Sequence, residues 1–107
     1  MECEELKEIL FELTKWVKVL AYDKVKNILL DTLKTDREKL IYHYSDGRSS
    51  IEIARLVGLK SHASILEYWK RWNRIGLMYA FSTRGGKRYI KAFNLEDFGI
   101  EIPNPDV

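Results

Sequence analysis

Six basic side chains fall in two short segments, where their type and spacing fit the binding of a polyanion. They are Lys70, Arg71 and Arg74 in the first segment and Arg84, Lys87 and Arg88 in the second. The second segment contains a Gly-Gly pair, which permits a tight turn. Lys and Arg bind phosphates through charge-assisted hydrogen bonds, and Arg can also donate two hydrogen bonds to one guanine edge. These residues therefore predict contacts with nucleic-acid phosphates.

The positive charge of the chain is concentrated in the same region. The net charge is only +2. Residues 35–93 carry 12 Lys/Arg against 5 Asp/Glu, or +7, whereas residues 1–34 carry 6 against 7, or −1, and residues 94–107 carry 0 against 4, or −4. Of these three parts, only residues 35–93 have a net positive charge, and they contain both basic segments, as expected of a nucleic-acid-binding surface.

Two helices separated by a turn are predicted to position the first basic segment. Residues 50–58 fit a short helix that stops at Gly58, and residues 59–61 turn the chain. Residues 61–75 fit a second helix that stops at Gly76. This order is typical of a helix-turn-helix, whose second helix enters a DNA major groove.

The second predicted helix has one apolar face and one polar face. Ile65, Trp69 and Trp72 cluster within about 60° when each residue advances by about 100°. These three side chains are therefore predicted to be core. The opposite side is predicted to face DNA, with its first residues at base edges and its last residues at phosphates. Its candidate contacts are Lys60, Ser61, His62, Ser64, Glu67, Lys70, Arg71 and Arg74. Ala63 lies on the same side.

A β-hairpin is predicted to follow the second helix. Residues 77–82 and 88–93 fit two strands around a basic turn at residues 83–87. Apolar residues alternate along the strands at Leu77, Tyr79 and Phe81 and again at Tyr89 and Phe93. The candidate DNA contacts of the turn are Arg84, Lys87 and Arg88, which would enter a minor groove or clamp phosphates. The predicted fold is therefore mainly α with a small β-hairpin, as a winged helix-turn-helix.

Residues 1–34 are predicted to form an additional long amphipathic helical segment, ahead of the winged-helix domain at residues 35–107. Its apolar residues recur at intervals of three and four, as in a heptad seam. The seam consists of Leu6, Ile9, Leu13, Trp16 and Leu20. It ends at Asp23, where the helix either breaks or continues with a new face turned inward.

Two interpretations of this seam remain open. It packs onto its own domain as an extra core helix, or it pairs with the same helix of a second chain. Because a winged helix needs only about three helices and a hairpin, the second interpretation is favoured, and a homodimer is expected. The single cysteine, Cys3, is either an incidental thiol or a disulfide partner across such a dimer.

Two capping boxes mark helix starts in the next part of the chain. Thr35 with Glu38 predicts one helix start, and Ser49 with Glu52 predicts another. Residues 45–48 fit the turn between these two helices.

Read together, these motifs resemble a known family. The residues that carry the likeness are Glu52-Ile-Ala-Arg-Leu-Val-Gly-Leu-Lys-Ser61, Ser64-Ile65, Trp69, Trp72 and Gly76-Leu77. They resemble winged-helix repressors, and the long turn is similar to that of the SOS-response repressor's DNA-binding domain. With its leading helix and closing residues 93–103, the whole chain resembles small archaeal winged-helix DNA-binding proteins. That resemblance implies a dimeric transcription regulator or chromosome-associated protein.

Several other classes of protein are not indicated by the sequence. No carboxylate pair, Cys/His pair, Ser/His/Asp set or metal-spaced cluster stands out, so no enzyme, metal, cofactor or small-molecule ligand is expected. His43 has no partner at ligand spacing. No apolar run approaches a membrane span, and the Glu-rich start lacks a signal-peptide stretch, so a cytoplasmic, nucleoid-associated location is expected. The lack of glutamine and the 32% charged content are typical of a thermophilic source.

Two hypotheses about function follow. The first is double-stranded DNA binding by a winged helix, as a transcription regulator or chromatin-like protein. The second is a winged helix used for protein contacts within a transcription or chromosome-partition assembly. Glu67 on the DNA-facing side and the acidic residues 94–107 fit the second hypothesis.

Overall fold

Helices and one small β-hairpin make up the chain in a computed structural model that describes residues 2–104. The elements are α1 (Cys3–Thr32), α2 (Asp36–Tyr44), α3 (Ser50–Leu56), α4 (Ala63–Arg74), β1 (Met78–Thr83), β2 (Gly86–Lys91) and a 3₁₀ turn (Leu95–Phe98). The prediction of a mainly α chain with a small antiparallel hairpin is confirmed. The chain divides into two compact units, Met1–Thr32 and Leu33–Val107.

The first unit is a single uninterrupted helix. α1 runs for 30 residues and passes through Asp23 without a break, so of the two paths left open by the sequence, the chain takes the continuous one. The residues of the heptad seam, from Leu6 to Leu20, are all exposed to solvent.

The second unit begins with two short helices whose starts were predicted from their caps. The side chain of Thr35 accepts a hydrogen bond from the backbone N–H of Glu38, and Ser49 and Glu52 form a complete capping box. Both predicted helix starts are therefore confirmed. α2 packs against α3, and α3 packs against α4.

α4 supplies the centre of the core of the second unit. Ile65, Trp69 and Trp72 are buried, as their spacing predicts. The helix starts at Ala63, however, two residues later than predicted. The reason is local: the Ser61 hydroxyl accepts a hydrogen bond from the Ala63 N–H, so the chain is still in a turn at Ser61. His62 is the N-cap, and its carbonyl accepts the first helical bond, from Leu66.

The hairpin is tighter than predicted. Its register pairs Thr83 with Gly86, so the turn consists of Arg84 and Gly85 alone. Gly86 closes it with a φ of 107°, and the Thr83 hydroxyl donates to the Gly86 carbonyl at 2.8 Å. Because one glycine with positive φ is sufficient, the flanking residues that were assigned to the turn extend the strands instead.

Candidate nucleic-acid interface

α4 presents its basic residues on the side opposite the buried tryptophans. Lys70, Arg71 and Arg74 are exposed, whereas Trp69 and Trp72 are buried. This segregation follows from the helical period, which places residues one or two positions away from a buried tryptophan on a different face. The predicted placement of these basic residues on a solvent-facing side of the helix is therefore confirmed.

A buried serine ties this helix to two other elements. The Ser45 hydroxyl accepts a hydrogen bond from Nε1 of Trp69 at 2.8 Å and donates to the Ile41 carbonyl at 2.7 Å. The Ser45 carbonyl accepts a hydrogen bond from the Lys91 N–H at 2.7 Å. Ser45 is fully buried. The end of α2, the middle of α4 and the end of β2 are thus joined at one residue, which fixes α4 relative to the hairpin.

A second buried polar group anchors the base of the hairpin. The Tyr42 hydroxyl donates to the Leu77 carbonyl at 2.9 Å and accepts from the Phe93 N–H at 3.2 Å. Burial raises the pKa of Tyr42 to about 12, against a smaller lowering by hydrogen bonds from the backbone of Phe93 and Ala92. Because the Phe93 N–H bonds to this hydroxyl, β2 ends at Lys91 rather than at Phe93 as predicted.

Aromatic stacking orders one of the candidate phosphate contacts. The ring of Tyr68 stacks on that of Trp72 with centroids 5.2 Å apart. The guanidinium of Arg71 lies 5.7 Å from the centroid of Tyr68, within the range of a cation–π contact. Arg71 is therefore held against a ring that is itself fixed to the core, which lowers the entropy it would lose on binding a phosphate.

The first five candidate DNA contacts lie in two different settings. Lys60, Ser61 and His62 precede the helix, whereas Ser64 and Glu67 lie on its exposed side. The imidazole Nδ1 of His62 lies 3.1 Å from the Ser50 hydroxyl at the start of α3. This contact ties the turn to α3, so one of the ring nitrogens of His62 already has a protein partner.

The three basic residues of the hairpin do not share one face. Arg84 lies in the turn, and Lys87 and Arg88 are consecutive residues of β2, so their side chains point to opposite faces. Lys87 pairs with Ser82, and Arg88 pairs with Phe81. A single surface laid along one face of the hairpin would therefore contact Lys87 or Arg88, with Arg84 available to either.

An exposed apolar face on the hairpin was missed by the sequence reasoning. Tyr79 pairs with Ile90 and Phe81 pairs with Arg88, which puts all four on one face. Tyr79 is 64% exposed, Phe81 39% and Ile90 37%. The alternation of Tyr79 and Phe81 along β1 therefore marks an exposed face of the hairpin. The other face carries the apolar residues Met78 and Tyr89, which are buried, so alternation did not distinguish the two faces.

The basic residues of α4 and the hairpin form no ion pair with an acidic residue in the described part of the chain. Within residues 2–104, ion pairs join Lys15 to Glu12 and Arg48 to Asp46, and none involves α4 or the hairpin. Residues 78–91 contain four basic residues and no acidic one. The surface of α4 and the hairpin therefore carries uncompensated positive charge, although Glu67 adds one negative charge to the exposed side of α4.

Among residues 2–104, no group of three or more His, Cys, Asp or Glu residues is placed to hold a metal ion. No helix in the same range is long and apolar enough to cross a membrane.

Known proteins offer no further guide to this surface. Comparisons with protein-family models, with curated proteins and with solved structures found no match to this chain.

Proposed function

We propose that this protein binds double-stranded DNA as a winged helix-turn-helix. In this proposal α3 and α4 are the two helices of the motif, and the hairpin of β1 and β2 is the wing. α4 lies in the major groove and the wing lies on the flanking backbone. The observation that carries the proposal is a helix fixed to the core by its tryptophans, with an exposed basic side that forms no ion pair within residues 2–104.

The contacts divide into two classes. Lys70, Arg71 and Arg74 at the end of α4 would bind phosphates, together with Arg84 and one of Lys87 or Arg88 on the wing. The turn and first part of α4 would face base edges. The residues in that position are Lys60, Ser61, His62, Ser64 and Glu67, of which Glu67 can accept a hydrogen bond from a cytosine amino group. Such a protein would act as a transcription regulator or as a chromatin-like, nucleoid-associated protein.

Charge reversal on α4 tests this function. Lys70→Glu with Arg71→Glu should weaken duplex binding at least about 100-fold, since two phosphate attractions become repulsions. A matched control is Arg37→Glu with Lys39→Glu on α2, which makes the same charge change outside the proposed surface. Equal loss in both variants, or no loss in either, would contradict the assignment of the DNA contacts to α4.

One observation favours a second candidate, a winged helix that binds another protein. Tyr79, Phe81 and Ile90 form an exposed apolar face on the hairpin, and aromatic residues beside Arg are common at the centres of protein interfaces. If this candidate is right, Tyr79→Ser should abolish partner binding, and the α4 charge reversal should leave it intact. If DNA binding is right, the α4 charge reversal should strongly weaken binding to duplex DNA, whereas Tyr79→Ser should weaken it much less.

A further inference from the structure

The exposed side of α1 carries an apolar stripe wider than the heptad seam. Its seven residues are Leu6, Ile9, Leu10, Leu13, Trp16, Val17 and Leu20. At about 100° per residue they fill an arc of about 120° that contains no polar residue between positions 6 and 20. Each of them is between 48% and 82% exposed. A stripe of this width on a monomer marks an interaction surface.

The charges of α1 make it complementary to a reversed copy of itself. Residues 2–13 carry five Glu and one Lys, or −4, whereas residues 14–26 carry four Lys and one Asp, or +3. Two parallel copies would place the acidic halves side by side. Two antiparallel copies would place each acidic half beside a basic half. Exposed charges of this kind contribute little to affinity, but they do select between orientations.

We propose that α1 pairs with α1 of a second copy in antiparallel orientation, with the two stripes centred near Leu13. The stripe's width supports this, because it adds Leu10 and Val17 to one edge of the seam. In an antiparallel pair the same edges of both helices meet, so this apolar edge would be covered by its counterpart. This inference goes beyond the proposed function, since the pairing involves no DNA contact.

A membrane surface is a poorer occupant for the same stripe. Helices that lie on anionic membranes carry Lys and Arg on their polar side. The polar side of α1 is acidic around Glu4, Glu8 and Glu12, and anionic lipids would repel that half. The acidic first half and basic second half of α1 are better matched by a protein helix that runs in the opposite direction with the same two halves.

Association is tested by sedimentation of the full chain without DNA. Leu13→Glu places a charge at the centre of the stripe and should weaken the dimer at least about 100-fold, because pairing would bury an unpaired carboxylate. Phe11→Glu is the matched control, because Phe11 is 73% exposed but lies on the opposite side of α1. It should dimerise like the wild type. A wild-type monomer at all concentrations, or equal loss in both variants, would overturn self-pairing through the stripe.

Orientation is tested by disulfide formation at Cys3, an exposed free thiol. Cys3, Leu10, Val17 and Lys24 follow one another at intervals of seven residues along the same edge of α1. Cys3 and Lys24 are about 30 Å apart along one helix. Antiparallel pairing brings Cys3 of one copy near position 24 of the other. Lys24→Cys should therefore oxidise to a covalent dimer, whereas the wild type should not, because its two Cys3 residues lie at opposite ends.

Two further variants separate the alternatives in this experiment. Cys3→Ser with Lys24→Cys should give no covalent dimer, and Lys15→Cys, on the back of the helix, should give none above the wild-type level. A covalent dimer of the wild type through Cys3 would establish a parallel pair and overturn the proposal. Binding of the monomer to anionic vesicles in place of dimerisation would overturn it in favour of a membrane occupant.

Discussion

The hydroxyl of Ser45 accepts a hydrogen bond from the indole Nε1 of Trp69 at 2.8 Å, and both residues are buried. This one contact links the end of α2 to the side of α4 that faces the core. Because the opposite side of α4 carries the proposed phosphate contacts, the Ser45–Trp69 contact helps to set the orientation of the candidate DNA surface.

Loss of this contact should destabilise the protein. Ser45→Ala leaves the Trp69 N–H buried without a partner, at a cost of about 1–3 kcal/mol in the free energy of unfolding. Urea denaturation measures this cost. In a Trp69→Phe background the same substitution should cost clearly less, because no N–H is left unpaired. An equal cost in both backgrounds would show that the hydrogen bond is not what Ser45 contributes.

Tyr42 should make the free energy of unfolding fall as pH rises above about 10. Its folded-state pKa of about 12 is above the ordinary value of 10.0, so its stabilising contribution is complete below about pH 10 and is lost as pH rises toward 12. The difference between these two pKa values corresponds to at most about 3 kcal/mol in the free energy of unfolding.

Tyr42→Phe removes this pH dependence together with the hydrogen bond from the Phe93 N–H. Near pH 8 the variant should be less stable than the wild type by about 1–2 kcal/mol. The gap should shrink between pH 10 and 12, because only the wild type has a Tyr42 to ionise on unfolding. Comparison of the two proteins cancels the titration of the other tyrosines and the lysines. A gap that stays constant with pH would contradict the raised pKa.

The sequence predicted the helices well because their signals are local. The caps at Thr35 and Ser49 and the stripe of Ile65, Trp69 and Trp72 depend on neighbouring residues, and all are confirmed. The faces of the hairpin depend on what each face packs against. Since Tyr79 and Met78 are both apolar, only the tertiary packing decides that Met78 is buried and Tyr79 exposed.

The basic residues were predicted as a set, but their mutual placement depends on strand register. The predicted turn at residues 83–87 would have let Arg84 and Lys87 project from one loop. The observed two-residue turn instead puts Lys87 into β2 next to Arg88, so that these two side chains point to opposite faces. The roles of Ser45 and Tyr42 as anchors had no sequence signal, because their partners are 24 and 35 residues away.

The two adjacent glycines of the hairpin should respond differently to substitution. Gly86 has a φ of 107°, where an Ala side chain is strained, so Gly86→Ala should destabilise the hairpin by about 1–2 kcal/mol. Gly85 lacks a positive φ, and an added Cβ would meet only Arg88 and Thr83 at ordinary contact distance. Gly85→Ala should therefore be tolerated. Hydrogen exchange of the strand amides distinguishes the two variants, and equal protection in both would refute the assigned turn.

Removal of charge at the wing should change the salt dependence of DNA binding rather than its sequence preference. Arg84→Ala with Lys87→Ala should make the negative slope of log affinity against log salt shallower by up to about 2, if both residues bind phosphates. Arg37→Ala with Lys39→Ala on α2 makes the same charge change and should leave the slope unaltered. An unchanged slope in the wing variant would remove the hairpin from the proposed interface.

The most direct test of the central claim is a fluorescence-anisotropy titration of the wild-type protein with random-sequence duplex DNA at several salt concentrations. If the five basic residues assigned to phosphates on α4 and the wing are all engaged, affinity should fall steeply with salt, with a log–log slope of about −4.5 per monomer. No binding at the lowest salt concentration, or binding that salt does not weaken, would contradict the proposed DNA-binding function.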